Sequence, residues 1–205
     1  DILIVRSITK VNRELLEGTP VKFVGSCTIG MDHIDTDYLQ QQGIKWTNAP
    51  GCNANSVVEY LLSCLSVLTE THDFHWDTLS VGIIGYGNVG SLLASRLKKL
   101  GMNYSAYDPF LDDPSLCSFE QVLKCDIITL HVPLTTDTEY PTFHMFDKDV
   151  LSRLRPDQVL INASRGAVID NSALLDCLNK DSSPTAILDV WENEPVIDID
   201  LAKKV

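Results

Sequence analysis

The sequence has no apolar run approaching the roughly 18 residues of a membrane-spanning helix, which sets aside a membrane-embedded protein. It has no basic run longer than Lys98-Lys99 or Lys203-Lys204, and its formal net charge is -12. That balance repels phosphate backbones and anionic membranes, so neither nucleic acid nor membrane is an expected partner. No Cys-x-x-Cys pair occurs, and no signal peptide precedes the six scattered cysteines, Cys27, Cys52, Cys64, Cys117, Cys125 and Cys177. A disulfide scaffold is therefore not expected, and a reducing, cytoplasmic setting is. Internal repeats and low-complexity segments are missing too. What remains is 205 residues, 44% hydrophobic, with a mean hydropathy of +0.03. Such a chain is a soluble globular protein with one good core or two small ones. Asp1-Ile2-Leu3-Ile4-Val5 opens in mid-strand and Leu201 to Val205 stops without a terminating loop, so a piece of a longer chain is expected.

From Ser80 onward, short β-rich runs alternate with helical periodicity. Strands are expected at Val81 to Ile84, Asn103 to Tyr107, Asp126 to Leu130, Val159 to Asn162 and Thr185 to Asp189. Helices are expected at Asn88 to Leu100, with Leu92, Leu93, Leu97 and Leu100 on one face and Gly101 ending it, and at Phe119 to Lys124, Asp147 to Leu154 and Ser172 to Asn179. Ile- and Val-rich strands separated by helices imply an α/β fold with a parallel sheet covered on both faces. Residues 1–53 carry a smaller α/β lobe of their own. Its strands are expected at Ile2 to Val5, Val21 to Val24 and Ile44 to Thr47, and its helices near Val11 to Leu16 and at Asp35 to Gln42, capped by Gly43. A long helix, about Ala54 to Glu70 with Ser56 and Glu59 at capping-box spacing, is expected to bridge the lobes across residues 54–75. The second lobe then covers residues 76–205.

That second lobe opens with VGIIGYGNVG, in which Gly85-x-Gly87-x-x-Gly90 lies between a strand and a helix. The spacing alone is weak; the strand–turn–helix context gives it meaning. The first glycine permits the tight turn, the second lets backbone approach a pyrophosphate, and the third lets helix and strand pack closely, with the helix N-terminus facing the anion. The loop residues Tyr86, Asn88 and Val89 share that expectation. Asp108 ends the next strand, where a carboxylate accepts hydrogen bonds from ribose hydroxyls and repels a 2′-phosphate. NAD is therefore favoured over NADP.

Ligands in doubly wound sheets collect at the carboxyl ends of the strands. There this lobe places His131-Val132-Pro133, Ala163-Ser164-Arg165-Gly166 and Asp189 to Glu194. Arg165 is expected to fork onto a substrate carboxylate and steady charge on a reacting C2 oxygen. A cation just before a helix opposes the helix dipole, which argues against a merely solvated arginine. Glu194 could orient an imidazole; taken alone it reads as a surface acid. His72 and His75 could share a metal, but no third ligand stands nearby, so no metal is expected.

GIIGYGNVG, HVPLT, LINASRGAVID and LDVWENEP, in this order and spacing, resemble the D-2-hydroxyacid dehydrogenase family, and TIGMDHID and the NAPG turn agree. The resemblance covers essentially the whole chain. It implies a Rossmann-type doubly wound parallel sheet beside a smaller, incomplete flavodoxin-like substrate lobe. VRSITKVN, KFVGSCTIGMDHID, APGCNANSVVEY and PTFHMFD most resemble the branch that oxidises 4-phospho-D-erythronate, a phosphorylated 2-hydroxy acid of the vitamin B6 route.

Carried over, the resemblance makes Arg165 the substrate-anchoring arginine and Glu194 the acid supporting a catalytic histidine, with Ser7 and Thr28 in the substrate loops. Asp108 becomes the ribose-binding acid, Val132 a backbone cofactor contact and Asp189 the partner of the nicotinamide amide. It also implies a homodimer. The proton-transferring histidine is expected beyond Val205, and none of His33, His72, His75, His131 and His144 replaces it. Arg6, Lys10 and Arg13 are phosphate-docking candidates by composition only. Two other readings stay open: another D-2-hydroxy acid as substrate, such as 3-phosphoglycerate or glycerate, and a non-catalytic NAD-sensing protein.

Overall fold

Runs of Ile and Val become parallel strands in both halves of the chain. The computed structural model describes residues 1–71 and 75–205, so His72 and the last part of the expected bridging helix lie outside the described residues. The chain divides into two units, Asp1–Ser56 and Val57–Val205.

In the first unit, β1 (Ile2–Val5), β2 (Phe23–Ser26) and β3 (Lys45–Thr47) form a parallel sheet in the order β1-β2-β3, with Val5 opposite Ser26 and Gly25 opposite Thr47. Helix α1 (Arg13–Leu16) starts where the Asn12 side chain accepts from the Leu15 N–H, and α2 (Thr36–Gln41) where Asp35 accepts from Tyr38. Both are short polar caps satisfying first-turn donors. Val5, Val11, Leu16, Val24, Ile34, Leu39 and Ile44 form the core. The first helix is shorter than its expected span because Asn12 takes the cap position and Val11 forms a bridge with Ile34 instead. The second strand lies two residues later than Val21 to Val24. Lys22 donates to the Asp1 carbonyl before the ladder begins, and Gly25-Ser26 extend it.

Helix α3 (Ala54–Thr71) places Val58, Leu61, Leu65 and Leu68, spaced three or four residues apart, in the core of the second unit. Ser56 is the third residue of this helix, so it cannot be an N-cap, and the expected capping box with Glu59 does not form. A capping box does form at Ser118 and Gln121, at the start of α5 (Phe119–Val122). The remaining elements are β4 (Ser80–Ile84), α4 (Asn88–Lys99), β5 (Asn103–Tyr107), β6 (Ile127–Leu130), α6 (Lys148–Leu151), β7 (Val159–Asn162), a 3-10 turn over Gly166–Val168, α7 (Asn171–Leu178), β8 (Thr185–Leu188) and α8 (Ile199–Ala202).

All five strands are parallel, in the order β5-β4-β6-β7-β8. Alternate side chains bury two layers. Val81, Ile83, Ile127, Val159 and Ile161 face α3 and α4, while Ile84, Ile128, Leu130, Leu160 and Ala186 face α5, α6 and α7. On α4 the buried row is Leu93 and Leu97, whereas Leu100, expected on that face, is its exposed C-cap. Winding goes outward from β4 to β5 and then returns to set β6 on β4's other side. This is a doubly wound α/β sheet with its switch point between β4 and β6. Among the described residues, no helix is long and apolar enough to cross a membrane.

Candidate active site

At the switch point, Gly85 follows β4 with φ +91, and a Cβ there would lie 2.5 Å from the His131 carbonyl oxygen. Only glycine combines that conformation with that approach. A Cβ on Gly90 would collide with the Gly85 carbonyl, so the third glycine lets α4 pack against the turn. Gly87 meets nothing within 4 Å, and as the N-cap of α4 it supplies no side chain to the helix's first N–H groups. An open cradle at a helix N-terminus fits a pyrophosphate. Asp108 follows β5, its Oδ2 accepting from the Tyr86 N–H at 2.9 Å and its Oδ1 from Phe110 at 3.1 Å. Those bonds aim the carboxylate from the strand end into the glycine loop, where a ribose would lie beside the pyrophosphate. The residues present therefore fit a dinucleotide.

Arg165 stands beyond β7, with Nη1 donating to the Ser164 carbonyl at 2.8 Å. It sits five residues ahead of Asp170, the N-cap of α7, and a 3-10 turn intervenes. The expected opposition between Arg165 and a helix dipole is therefore absent, because the 3-10 turn over Gly166–Val168 separates the arginine from the first turn of α7. What fixes the turn is Asn162, buried at the end of β7. Its Nδ2 donates to the Arg165 carbonyl at 2.9 Å, and its Oδ1 accepts from the Ser164 N–H and hydroxyl at 3.1 and 2.9 Å. Asn162 is not among the residues expected from sequence to build the site; its one signal there is that a polar residue closes an otherwise apolar strand.

Asp189 follows β8, its N–H bonded to the Asn162 carbonyl at 3.0 Å. Burial, the Cys64 hydrogen bond and the Asp189 charge push the Tyr60 phenol up to about 12. Glu194 is exposed, and its Oε1 accepts from the Trp191 N–H at 2.7 Å. The turn carrying both acids rests on Gly166, where a Cβ would overlap backbone atoms of Trp191 and Glu192. His144 Nε2 is 2.8 Å from Glu192 Oε1, and His144, Asp170 and Glu192 offer potential ligand atoms within 4.8 Å of one another. No sequence motif links residues so far apart in the chain.

In the first unit, Ser7 and Thr28 both lie past the carboxyl ends of adjacent strands, β1 and β2. Ser7 is exposed, whereas Thr28 shares its hydroxyl with Ser26 at 2.7 Å and donates to the Gly30 carbonyl at 3.2 Å. Arg6 and Lys10 are exposed near Ser7, and Arg13 is ion-paired with Glu17 at 2.7 Å.

His131 follows β6. Its Nε2 lies 3.0 Å from the Thr129 hydroxyl, while Nδ1 is sealed from solvent without a hydrogen-bond partner, and burial lowers its pKa to about 4. Folding must keep this ring neutral. Between the ordinary histidine pKa and about 4, the unfolded chain binds a proton that the folded chain does not, so stability drops as the pH is lowered through that window. Lowering the pH from 7 to 5 should cost about 2 kcal/mol through His131 alone. Urea unfolding of the wild type and of His131→Gln at both pH values measures it. An equal pH-dependent loss in the two proteins would show that His131 is not the source.

Residues 69–203 match the family described as D-isomer specific 2-hydroxyacid dehydrogenase, NAD binding domain. The chain is 54% identical over 208 residues to an erythronate-4-phosphate dehydrogenase of Cellvibrio japonicus, covering 100% of this chain and 54% of that protein. It is 52% identical over 205 residues to the erythronate-4-phosphate dehydrogenase of Hahella chejuensis, covering 98% and 54%. It thus spans about half the length of these relatives. The crystal structure of D-lactate dehydrogenase from Aquifex aeolicus, complexed with NAD and lactic acid, superposes with a TM-score of 0.79 at 26% identity, covering 98% of this chain and 71% of that one. By the match over residues 69–203, which takes in the glycine cradle, Asp108, Arg165 and the 189–194 turn, the chain belongs to the D-isomer specific 2-hydroxyacid dehydrogenase family.

Proposed function

We propose that the whole protein oxidises the C2 hydroxyl of 4-phospho-D-erythronate to the 2-oxo acid with NAD, in pyridoxal phosphate biosynthesis. The observation that carries this is the meeting of the glycine cradle, Asp108 and Arg165 at the carboxyl edge of one sheet, in a chain about half identical to erythronate-4-phosphate dehydrogenases. In this reading residues 76–205 hold NAD and residues 1–53 belong to the substrate lobe, joined by α3. Its setting is the cytoplasm, in keeping with six free cysteines, and its working form a homodimer.

Gly85, Gly87 and Gly90 shape the turn for the pyrophosphate, together with Tyr86, Asn88 and Val89, and Asp108 receives the adenosine ribose. The strand-end residues His131, Val132, Pro133, Ala163 and Ser164 wall the cofactor cleft, and Asp189 accepts from the nicotinamide amide. When bound, NAD supplies the hydride acceptor. Arg165 holds the substrate carboxylate and C2 oxygen, and donors fixed before the reaction stabilise charge that develops during it. Glu194 orients the imidazole that takes the hydroxyl proton, a base whose ordinary pKa suits neutral pH. Ser7 and Thr28 contact the substrate, and Arg6 and Lys10 serve its phosphate better than Arg13, which Glu17 already engages.

Turnover of 4-phospho-D-erythronate, compared with 3-phosphoglycerate and glycerate, by the chain extended to its relatives' length tests the reading. Preference for another acid would reassign the substrate, and NAD binding without any turnover would favour a sensing role. Cofactor choice is a separate expectation. Asp108 should make NAD bind at least about tenfold more tightly than NADP, a difference of about 1.4 kcal/mol. Asp108→Ala should narrow the gap. Equal wild-type affinities in a calorimetric titration would remove Asp108 from the cofactor site.

A further inference from the structure

Three segments far apart in sequence meet behind Arg165. The His144 N–H donates to the Ala167 carbonyl at 2.8 Å, the Phe146 N–H to Val168 at 3.0 Å, and the Asp170 N–H returns to Phe146 at 3.1 Å. The chain around residues 144–146 is thereby strapped along the turn that follows Arg165. The third segment is the turn after β8. Its Glu192 N–H donates to Asn171 Oδ1, while the Asn171 N–H donates to Glu192 Oε2, both at 3.2 Å. The His144 side chain closes the triangle with its 2.8 Å contact from Nε2 to Glu192 Oε1, and Asp170 Oδ2 lies 3.9 Å from its Nδ1. Its backbone is left-handed, with φ 50, and its ring stacks on Phe143 at 4.0 Å between centroids.

That arrangement is costly for a histidine with no task. A non-glycine residue in the left-handed region is uncommon. Here the conformation carries the imidazole across to Glu192, on the other side of the 3-10 turn. A cation-binding role for His144, Asp170 and Glu192 is the weaker account. Both Glu192 oxygens already accept hydrogen bonds, one from the first N–H of α7, and the positive end of that helix opposes a metal ion.

We propose that His144 is a positioning residue for the dehydrogenase reaction: through Glu192 it locks the later part of the 189–194 turn, and with it Glu194, in register with Arg165, while Asp189 keeps its own bond to the Asn162 carbonyl. The inference rests on the function proposed above. The lever is short, because Glu192 is two residues from Glu194, and the Glu194 carboxylate is itself held by Trp191 in the same turn. A residue that touches neither substrate nor cofactor sets where one acid stands relative to the arginine, and a displacement of about 1 Å in such a constellation is enough to cost turnover.

The test uses the chain at its relatives' full length and two substitutions. His144→Ala removes the contact; His144→Gln keeps an N–H donor near the position of Nε2. His144→Ala should lower kcat about tenfold while changing the Kd for NAD less than about twofold, and His144→Gln should recover kcat to within about threefold of wild type. A merely structural histidine would not divide the two constants this way. Hydrogen exchange over residues 189–195 should rise about tenfold in the alanine variant and stay near wild type in the glutamine variant. Unchanged exchange in His144→Ala overturns the lock whatever the activity. Faster exchange with wild-type kcat overturns the positioning role, as does a glutamine variant as impaired as alanine. If the wild-type chain oxidises no 2-hydroxy acid, the proposed function fails, and exchange still decides the lock.

Discussion

Arg165→Lys will lose about 100-fold in kcat/KM while NAD affinity stays within about twofold of wild type. Lysine keeps the charge but gives up the planar fork that addresses a carboxylate and a neighbouring oxygen together. Losing one preorganised transition-state contact typically costs on the order of 3 kcal/mol. The structure limits how far lysine could compensate. Asn162 fixes the backbone on both sides of the arginine, at the Ser164 N–H and the Arg165 carbonyl, so the chain cannot shift to bring a shorter point charge into place. The Nη1 contact to the Ser164 carbonyl would be lost as well. Steady-state kinetics at saturating NAD, with a separate NAD titration, checks the prediction. Near-normal kcat/KM would return Arg165 to an ordinary role beside the cleft, and a parallel loss of NAD affinity would mean that it supports the fold of the cradle instead.

The glycine cradle is legible in the sequence because its constraints are local. Gly85, Gly87 and Gly90 act within one turn, and each has a steric reason that the spacing encodes: a positive φ, an open approach and a close packing. The parallel sheet is legible for a related reason. Strands buried on both faces are nearly continuous apolar runs, and Val159-Leu160-Ile161 is one of them. Boundaries are less legible. Asn12 and Ser56 look alike as potential caps, yet one caps a helix and the other lies inside one, since the residue that starts a helix is chosen by the packing of its apolar face. Least legible are contacts between strand-end loops. Asn162, His144, Asn171 and Glu192 act across sequence gaps that no periodicity spans. Arg165 can be singled out from the motif around it, but the reason it is held firmly cannot.

Gly166→Ala should cost more stability than any of the other substitutions, because the missing Cβ is the space in which another backbone sits. An alanine methyl there would overlap the Trp191 carbonyl and the Glu192 nitrogen. A flexible side chain could swing away, but these atoms are pinned from three sides: Asp189 to the Asn162 carbonyl, Glu192 to Asn171, and Glu192 to His144. Overpacking usually costs about 1–3 kcal/mol, and a collision with tethered backbone belongs above that range, on the order of 4 kcal/mol. For a chain of this size, that corresponds to a Tm lower by about 10 °C. Gly87→Ala is the control. Its added methyl meets nothing within 4 Å and its backbone is ordinary for alanine, so the fold should melt within about 2 °C of wild type. The same methyl would stand where the pyrophosphate approaches, so that variant should lose NAD affinity instead, by about tenfold or more. Melting curves and NAD titrations on the two variants separate a glycine kept for packing from one kept for a ligand. A Gly166→Ala protein melting within about 2 °C of wild type would show that the 189–194 turn is free to move, and that Arg165 and Glu194 have no rigid support there.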